Sequence, residues 1–170
     1  SLNGYMYSQS RDVAWVHLYG TSVATAELAN TTVTLTQTTN YPWDGEITVD
    51  VAPESPATFA LALRKPAWCR EATVTINDSV VDSPAEAGYI MLRREWHQGD
   101  RIVLTLAMQV ERMEAHPSVR HDAGCVALQR GPILYCLEEA DNGKDLNDII
   151  LPADAELVAT TEGSPFESVP

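Results

Sequence analysis

The stretch Thr32-Val33-Thr34-Leu35-Thr36-Gln37-Thr38 alternates polar and apolar side chains, a period of two that turns Val33 and Leu35 to one face and leaves threonine on the other. A helix cannot gather residues at that spacing onto one stripe, whereas a strand with one buried and one wet face does so directly. The pattern recurs in Glu46 to Val51, and in Ile102, Leu104, Leu106 and Met108, which interleave with Val103, Thr105, Ala107 and Gln109. Phe59, Leu61 and Leu63 share a face with alanines behind them, which predicts a strand covered on both sides. Further short runs lie at Val13–Tyr19, Ser22–Leu28, Val74–Asp78 and Tyr89–Arg93, punctuated by Gly20, Pro53, Pro56, Pro66, Pro84 and Gly88. Roughly eight strands at intervals of about 8 to 12 residues, with no convincing helix, predict an all-β chain built as an antiparallel β-sandwich or jelly roll.

Residues 5–111 form the expected first sandwich domain, and Ser1 to Gly4 read as the tail of a helix closed by Gly4 in the left-handed conformation. Residues 112–170 open on a polar connector, Met113 to Asp122, and then start a second β-sandwich domain that about 55 residues are too few to complete. Its centre is Gly124-Cys125-Val126-Ala127-Leu128-Gln129-Arg130-Gly131-Pro132-Ile133-Leu134-Tyr135-Cys136, two apolar runs around a Gly-Pro break. Runs of that kind suit buried strands, and Pro132 makes the break either a sheet edge or a change of sheet. Ile149–Leu151 and Leu157–Ala159 offer two more short strands.

Eleven Lys and Arg stand against 24 Asp and Glu, a formal charge of -13 that repels a phosphate backbone and argues against a nucleic-acid partner. No apolar run approaches the roughly 18 residues of a membrane span, so the expectation is a soluble chain with no membrane partner. Ser1 opens the sequence without an initiator Met or the features of a signal peptide, as in a piece of a longer protein. Cys69, Cys125 and Cys136 are odd in number and lack a C-x-x-C pair, which points to packed free thiols in a reducing, cytoplasmic setting.

Residues with the chemistry for a site are few. Glu138 and Glu139 are adjacent, so on a strand they point to opposite faces and cannot flank one glycosidic bond. His116, His121 and Asp122 have no spacing that brings two imidazoles to one metal, and the plain reading is a surface loop. Aromatics beside strand ends are better candidates: Tyr41, Trp43, Trp68 and Trp96 offer faces on which a sugar ring can stack, although large aromatics at strand ends are more often lids over a core. Tyr41 and Trp43 are the candidate substrate-binding pair.

Several stretches taken together are more specific. Leu2-Asn3-Gly4-Tyr5-Met6-Tyr7-Ser8, Tyr41-Pro42-Trp43-Asp44-Gly45, Leu61 to Cys69, Trp96-His97-Gln98-Gly99-Asp100 and Val126 to Glu138 resemble, in this order, the region that follows the catalytic barrel in glycoside hydrolase family 127. The resemblance implies an upstream (α/α)6 barrel carrying exo-acting, retaining β-L-arabinofuranosidase chemistry, with a zinc-bound cysteine nucleophile and a glutamate acid and base. The adjacent cysteine pair of that motif has no counterpart among Cys69, Cys125 and Cys136. This chain is therefore expected to carry no catalytic residue, to need no cofactor or metal of its own, and to pack on the barrel. Carbohydrate binding to an arabino-oligosaccharide through Trp43 and its neighbours is one alternative role, and dimerisation of the parent as a homodimer is another.

Overall fold

The computed structural model describes residues 2–160. A 3-10 turn at Leu2–Tyr5 leads into β1 (Tyr7–Gln9), β2 (Val13–Val16), β3 (Ser22–Glu27), β4 (Thr32–Thr39), β5 (Glu46–Pro53), β6 (Ala57–Arg64) and β7 (Ala72–Ile76). There follow β8 (Ser79–Val81), β9 (Ala85–Glu86), β10 (Tyr89–Trp96), β11 (Asp100–Leu106), β12 (Val110–Glu114), β13 (Val126–Arg130), β14 (Ile133–Tyr135) and the one-turn α1 (Glu139–Asn142). Two compact units divide between Met108 and Gln109. The boundary expected after Glu111 would cut β12, which pairs over its whole length with β13. Gly4 does not adopt the left-handed conformation expected of it.

The first unit is a two-sheet sandwich. One sheet has the order β1-β2-β6-β10-β9 and the other β3-β4-β5-β11-β7-β8, antiparallel throughout except for the parallel β2–β6 pair. The period-two strands supply the core as their pattern requires: Val33 and Leu35, Ile47 to Val51, Phe59 to Leu63, and Ile102 to Leu106 join one buried cluster across both sheets. Thr34 and Thr36 lie on the opposite, outward face of β4. On β6, Ala60 and Ala62 are buried although they face outward, because Trp15 and Met91 flank Ala62 in the neighbouring strands. The covering expected there is made by side chains and not by a third layer.

Turn chemistry explains the strands that sequence periodicity leaves unmarked. Asn77 and Asp78 both have positive φ, at 49° and 64°, and link Ile76 to its partner Ser79 as a two-residue hairpin turn. Ala87 and Gly88 do the same between β9 and β10. Trp96 is fully buried, donates its indole N–H to the Phe59 carbonyl at 3.1 Å and packs against the Phe59 ring. Asp100 fixes the turn behind it, accepting from the His97 N–H at 2.8 Å and from Asn77 Nδ2 at 2.7 Å.

The described part of the second unit holds one three-stranded sheet, β12-β13-β14. Gly131 and Pro132 are the two turn residues between Arg130 and its partner Ile133. Gly131 has φ 59°, and the fixed negative φ of Pro132 then suits a type II′ hairpin turn into β14, the edge strand of the described sheet, so the break is not a change of sheet. Two expectations are corrected. Leu134, Tyr135 and Leu137 are exposed, since no second sheet closes on this one within the described part of the unit. Ile149–Leu151 and Leu157–Ala159 are not strands; the backbone between them is held instead by Arg112, whose guanidinium donates to the carbonyls of Pro152 and Ala155 at 2.8 and 2.7 Å.

Two predictions follow from the first unit. A Cβ on Gly45 would meet the Leu106 carbonyl oxygen at 2.0 Å, so Gly45→Ala must displace β11 and is expected to cost about 3 kcal/mol, read as a fall in the urea midpoint at constant slope. Burial raises the pKa of Asp100, but the hydrogen bonds from Asn77 and the His97 N–H and the charge of Arg94 outweigh it and hold the carboxyl below its usual range. Its carboxylate therefore stabilises the fold above the unfolded value near pH 4, and that stability is lost as pH falls towards the lower folded value. Asp100→Ala should lower stability by about 1–3 kcal/mol at pH 7 and flatten this acid limb, measured by urea titrations between pH 7 and pH 3.

Candidate functional site

The aromatic residues beside the strand ends do not form one surface. Trp96 is core, and Tyr41 is half-buried, its ring meeting Tyr19 edge-on at a centroid distance of 5.9 Å. The Tyr19 hydroxyl donates to the Arg64 carbonyl at 2.5 Å, and Trp68, like Tyr41, is half-buried against the core. Tyr19, Tyr41 and Trp68, from three segments distant in sequence, thus close one end of the sandwich. Trp43 is 63% exposed, on a turn pinned by the Trp43 N–H to the Asn40 carbonyl and by the Glu46 N–H to Asp44 Oδ1. Of the two candidate substrate-binding residues, then, Tyr41 packs inward and Trp43 presents its ring to the outside.

A second aromatic group adjoins the first. Trp15 meets Tyr89 edge-on at 5.1 Å and stacks near His17 at 6.4 Å. His17 Nδ1 lies 2.7 Å from the Tyr89 hydroxyl, and His17 Nε2 lies 2.7 Å from Ser8 Oγ. Arg64 connects the groups, since it is paired across the strands with Tyr89 and its carbonyl receives the Tyr19 hydroxyl. Sequence periodicity gives no hint of this second group, because His17 lies just past β2 and Ser8 lies in a three-residue strand.

The chemistry of this end is that of packing and binding. Burial pushes the pKa values of Tyr19 and Tyr41 above the ordinary tyrosine value, which keeps both phenols protonated. Burial also raises the Cys69 thiol, against the pull of Lys65, and its Sγ donates to the Glu71 carbonyl at 3.0 Å. A thiol held protonated is a poor nucleophile and a poor zinc ligand. The Ser8–His17–Tyr89 row has the outline of a nucleophile, base and orienter, but the orienter's place is taken by a phenol hydroxyl and not by the buried carboxylate that stabilises an imidazolium. The row instead ties β1, β2 and β10 together.

The remaining candidates are dispersed. Cys125 and Cys136 are exposed, which corrects the expectation that they pack in a core. Glu138, Glu139, His116, His121 and Asp122 are all exposed, and His116 Nδ1 accepts the Ser118 N–H at 3.2 Å. Among the described residues, no group of three or more His, Cys, Asp or Glu is placed to hold a metal ion, and no helix is long and apolar enough to cross a membrane.

Comparison with known proteins gives two adjoining matches: residues 13–108 to the middle domain of GH127 β-L-arabinofuranosidases, and residues 110–170 to the glycoside hydrolase family 127 C-terminal domain. A non-reducing end β-L-arabinofuranosidase from Bifidobacterium longum subsp. longum is 35% identical over 150 residues, covering 86% of this chain and 23% of the relative. The crystal structure of a GH127 β-L-arabinofuranosidase from Geobacillus stearothermophilus T6 superposes with a TM-score of 0.92 at 49% identity, over 98% of this chain and 26% of that one. A second GH127 β-arabinofuranosidase structure gives a TM-score of 0.78 at 32% identity, over 83% of this chain and 25% of its own. The chain spans about a quarter of the length of these relatives.

Thiol accessibility checks the geometry of all three cysteines. Ellman's reagent should react promptly with Cys125 and Cys136 in the native protein and reach Cys69 only on unfolding.

Proposed function

The chain belongs to glycoside hydrolase family 127, as its middle and C-terminal domains, and we propose that it is the non-catalytic support of an exo-acting β-L-arabinofuranosidase, docked on the catalytic barrel through the aromatic end of its sandwich. The observation that carries this reading is the meeting of separate family-marking stretches at that end. Tyr41 from the Tyr-Pro-Trp-Asp-Gly turn, Trp68 and Cys69 from the Lys-Pro-Ala-Trp-Cys stretch, and Tyr19 pack together there, while Trp43 projects. Exposed indole beside a rigid aromatic base is the kind of anchor that dominates a protein interface. Burial raises the pKa values of Tyr19, Tyr41 and Cys69 at this end, which accords with a role outside the chemistry. The zinc and thiolate implied by the resemblance belong to the catalytic domain on this reading, since buried, protonated Cys69 does not fit a metal. Three free thiols suit a cytoplasmic protein.

A second reading, carbohydrate binding by this end, is favoured by the exposure of Trp43 alone. Titration of the chain with arabino-oligosaccharides, compared with Trp43→Ala, decides it: binding lost in the variant supports sugar recognition there.

For docking, the expected outcome is asymmetric. Trp43→Ala should change the stability of this chain alone by less than about 0.5 kcal/mol, but should cost about 2 kcal/mol in the longer protein, where the indole is covered. The isolated chain should not hydrolyse an aryl β-L-arabinofuranoside, and the longer protein should. Turnover by the chain alone, or equal effects of Trp43→Ala in both contexts, would sink the reading.

A further inference from the structure

The sheet that carries β10 is closed on one side only in part. β6 pairs with β10 from Tyr89 to Trp96, but on the other side β9 covers Tyr89 and Ile90 alone. Ser83 Oγ caps the next carbonyl, that of Met91, at 3.0 Å. Beyond it the strand runs on as an edge. Edges of this kind invite pairing with other chains and are commonly guarded by a charge turned inward. Arg94 supplies a charge at this edge: it alternates with Leu92 and Trp96 along β10, is itself exposed, and its guanidinium carbon sits 5.3 Å from the centre of the Trp96 ring.

The same edge borders a cavity. Between β10 and the β7–β8 hairpin of the opposite sheet there opens a groove of about 530 Å³. Its floor is apolar, from Ile76 and Leu92, both buried. Its walls include Asp82 as an acceptor and Arg94 as a donor; Glu95, next to Arg94 on β10, points to the other face and lies 4.0 Å from His97 Nε2. The other lining arginine, Arg93, is already paired with Asp12 at 2.9 Å. Acceptors and donors are therefore balanced, on a chain whose overall charge is -13. A groove of that size, with an apolar floor and balanced polar walls, matches a small neutral polyol better than an anion, which the acidic chain repels, or a purely apolar ligand, which would leave the wall groups unpaired.

We propose that the groove between β10 and the β7–β8 hairpin binds a short neutral arabinofuranoside, with its ring C–H face on Leu92 and Ile76 and its hydroxyls on Asp82 and Arg94. The choice of sugar rests on the family reading above; the choice of a neutral saccharide rests on the groove. The shallow, solvent-open walls set the expected affinity in the millimolar range, about 4 kcal/mol of binding free energy.

The test is an amide chemical-shift titration of this chain with an L-arabinofuranosyl disaccharide up to about 20 mM, a range that brackets a millimolar Kd. Shifts confined to residues 81–83 and 92–97, reduced at least about fivefold in affinity by Asp82→Asn and by Arg94→Met, support the proposal. Asp82 is exposed, so Asp82→Asn leaves the core untouched and its effect stays readable if Arg94→Met loosens Trp96. Silent amides in the groove, shifts that map to Trp43 instead, affinities unchanged in both variants, or tighter binding of a digalacturonate each overturn it. Hydrolysis of an aryl β-L-arabinofuranoside by the longer protein reports on the family reading alone, so a silent groove beside an active longer protein removes this inference and leaves that reading standing.

Discussion

The first unit depends on the burial of Trp96 between its two sheets. Its indole fills the interior against Phe59, and the only polar atom it carries is satisfied by the Phe59 carbonyl of the neighbouring strand. Burying an indole without that partner would cost much of what the ring's apolar area contributes. The position is reached only because β10 and β6 are in register over eight pairs, which sets Trp96 opposite Ala57, two residues from Phe59 on the same face. The turn that follows is locked by Asp100, so one short segment, Trp96 to Asp100, joins core packing, strand register and the entry to β11.

Much of this was legible in the sequence because the governing signal is local. Alternation in Thr32–Thr38 and Ile102–Leu106 directly reports a sheet with one face buried, and the structure places those residues as the alternation demands. The hairpins at Asn77-Asp78 and Ala87-Gly88 were less legible. β8 and β9, of three and two residues, are too short to show a period, and the only mark of the turns is tolerance of positive φ, which Ala87 does not advertise. The second unit misled for a different reason. Apolar runs such as Ile133 to Leu137 say that a segment can be buried, and whether anything covers it is a property of the tertiary arrangement.

The aromatic end shows the same limit at the level of function. Tyr41, Trp43 and Trp68 stood out by residue type and by position at strand ends, but which of them would be buried depended on Tyr19, which no pattern linked to them. Once Tyr19 stacks against Tyr41, the Tyr-Pro-Trp-Asp-Gly turn divides its labour. Tyr41 becomes part of the wall, and Gly45 lets the chain approach the Leu106 carbonyl closely, its own carbonyl accepting the Leu106 N–H at 2.8 Å. A stretch that reads as a sugar platform in sequence is therefore, for most of its residues, a device for anchoring β5 to β11.

That division bears on how the two aromatic roles can coexist. A tryptophan on a mobile loop loses side-chain and backbone freedom when it is covered, whether by protein or by sugar. Trp43 sits on a turn already fixed by hydrogen bonds to Asn40 and within Asp44-Gly45-Glu46, so little further ordering is needed for its ring to be used. The rigidity that makes the turn a structural element is thus what makes its one exposed indole an efficient contact. The same reasoning applies to Arg94, which is held on Trp96 before any ligand arrives. In both places the core positions a surface group, and the cost of ordering that group has been met in folding.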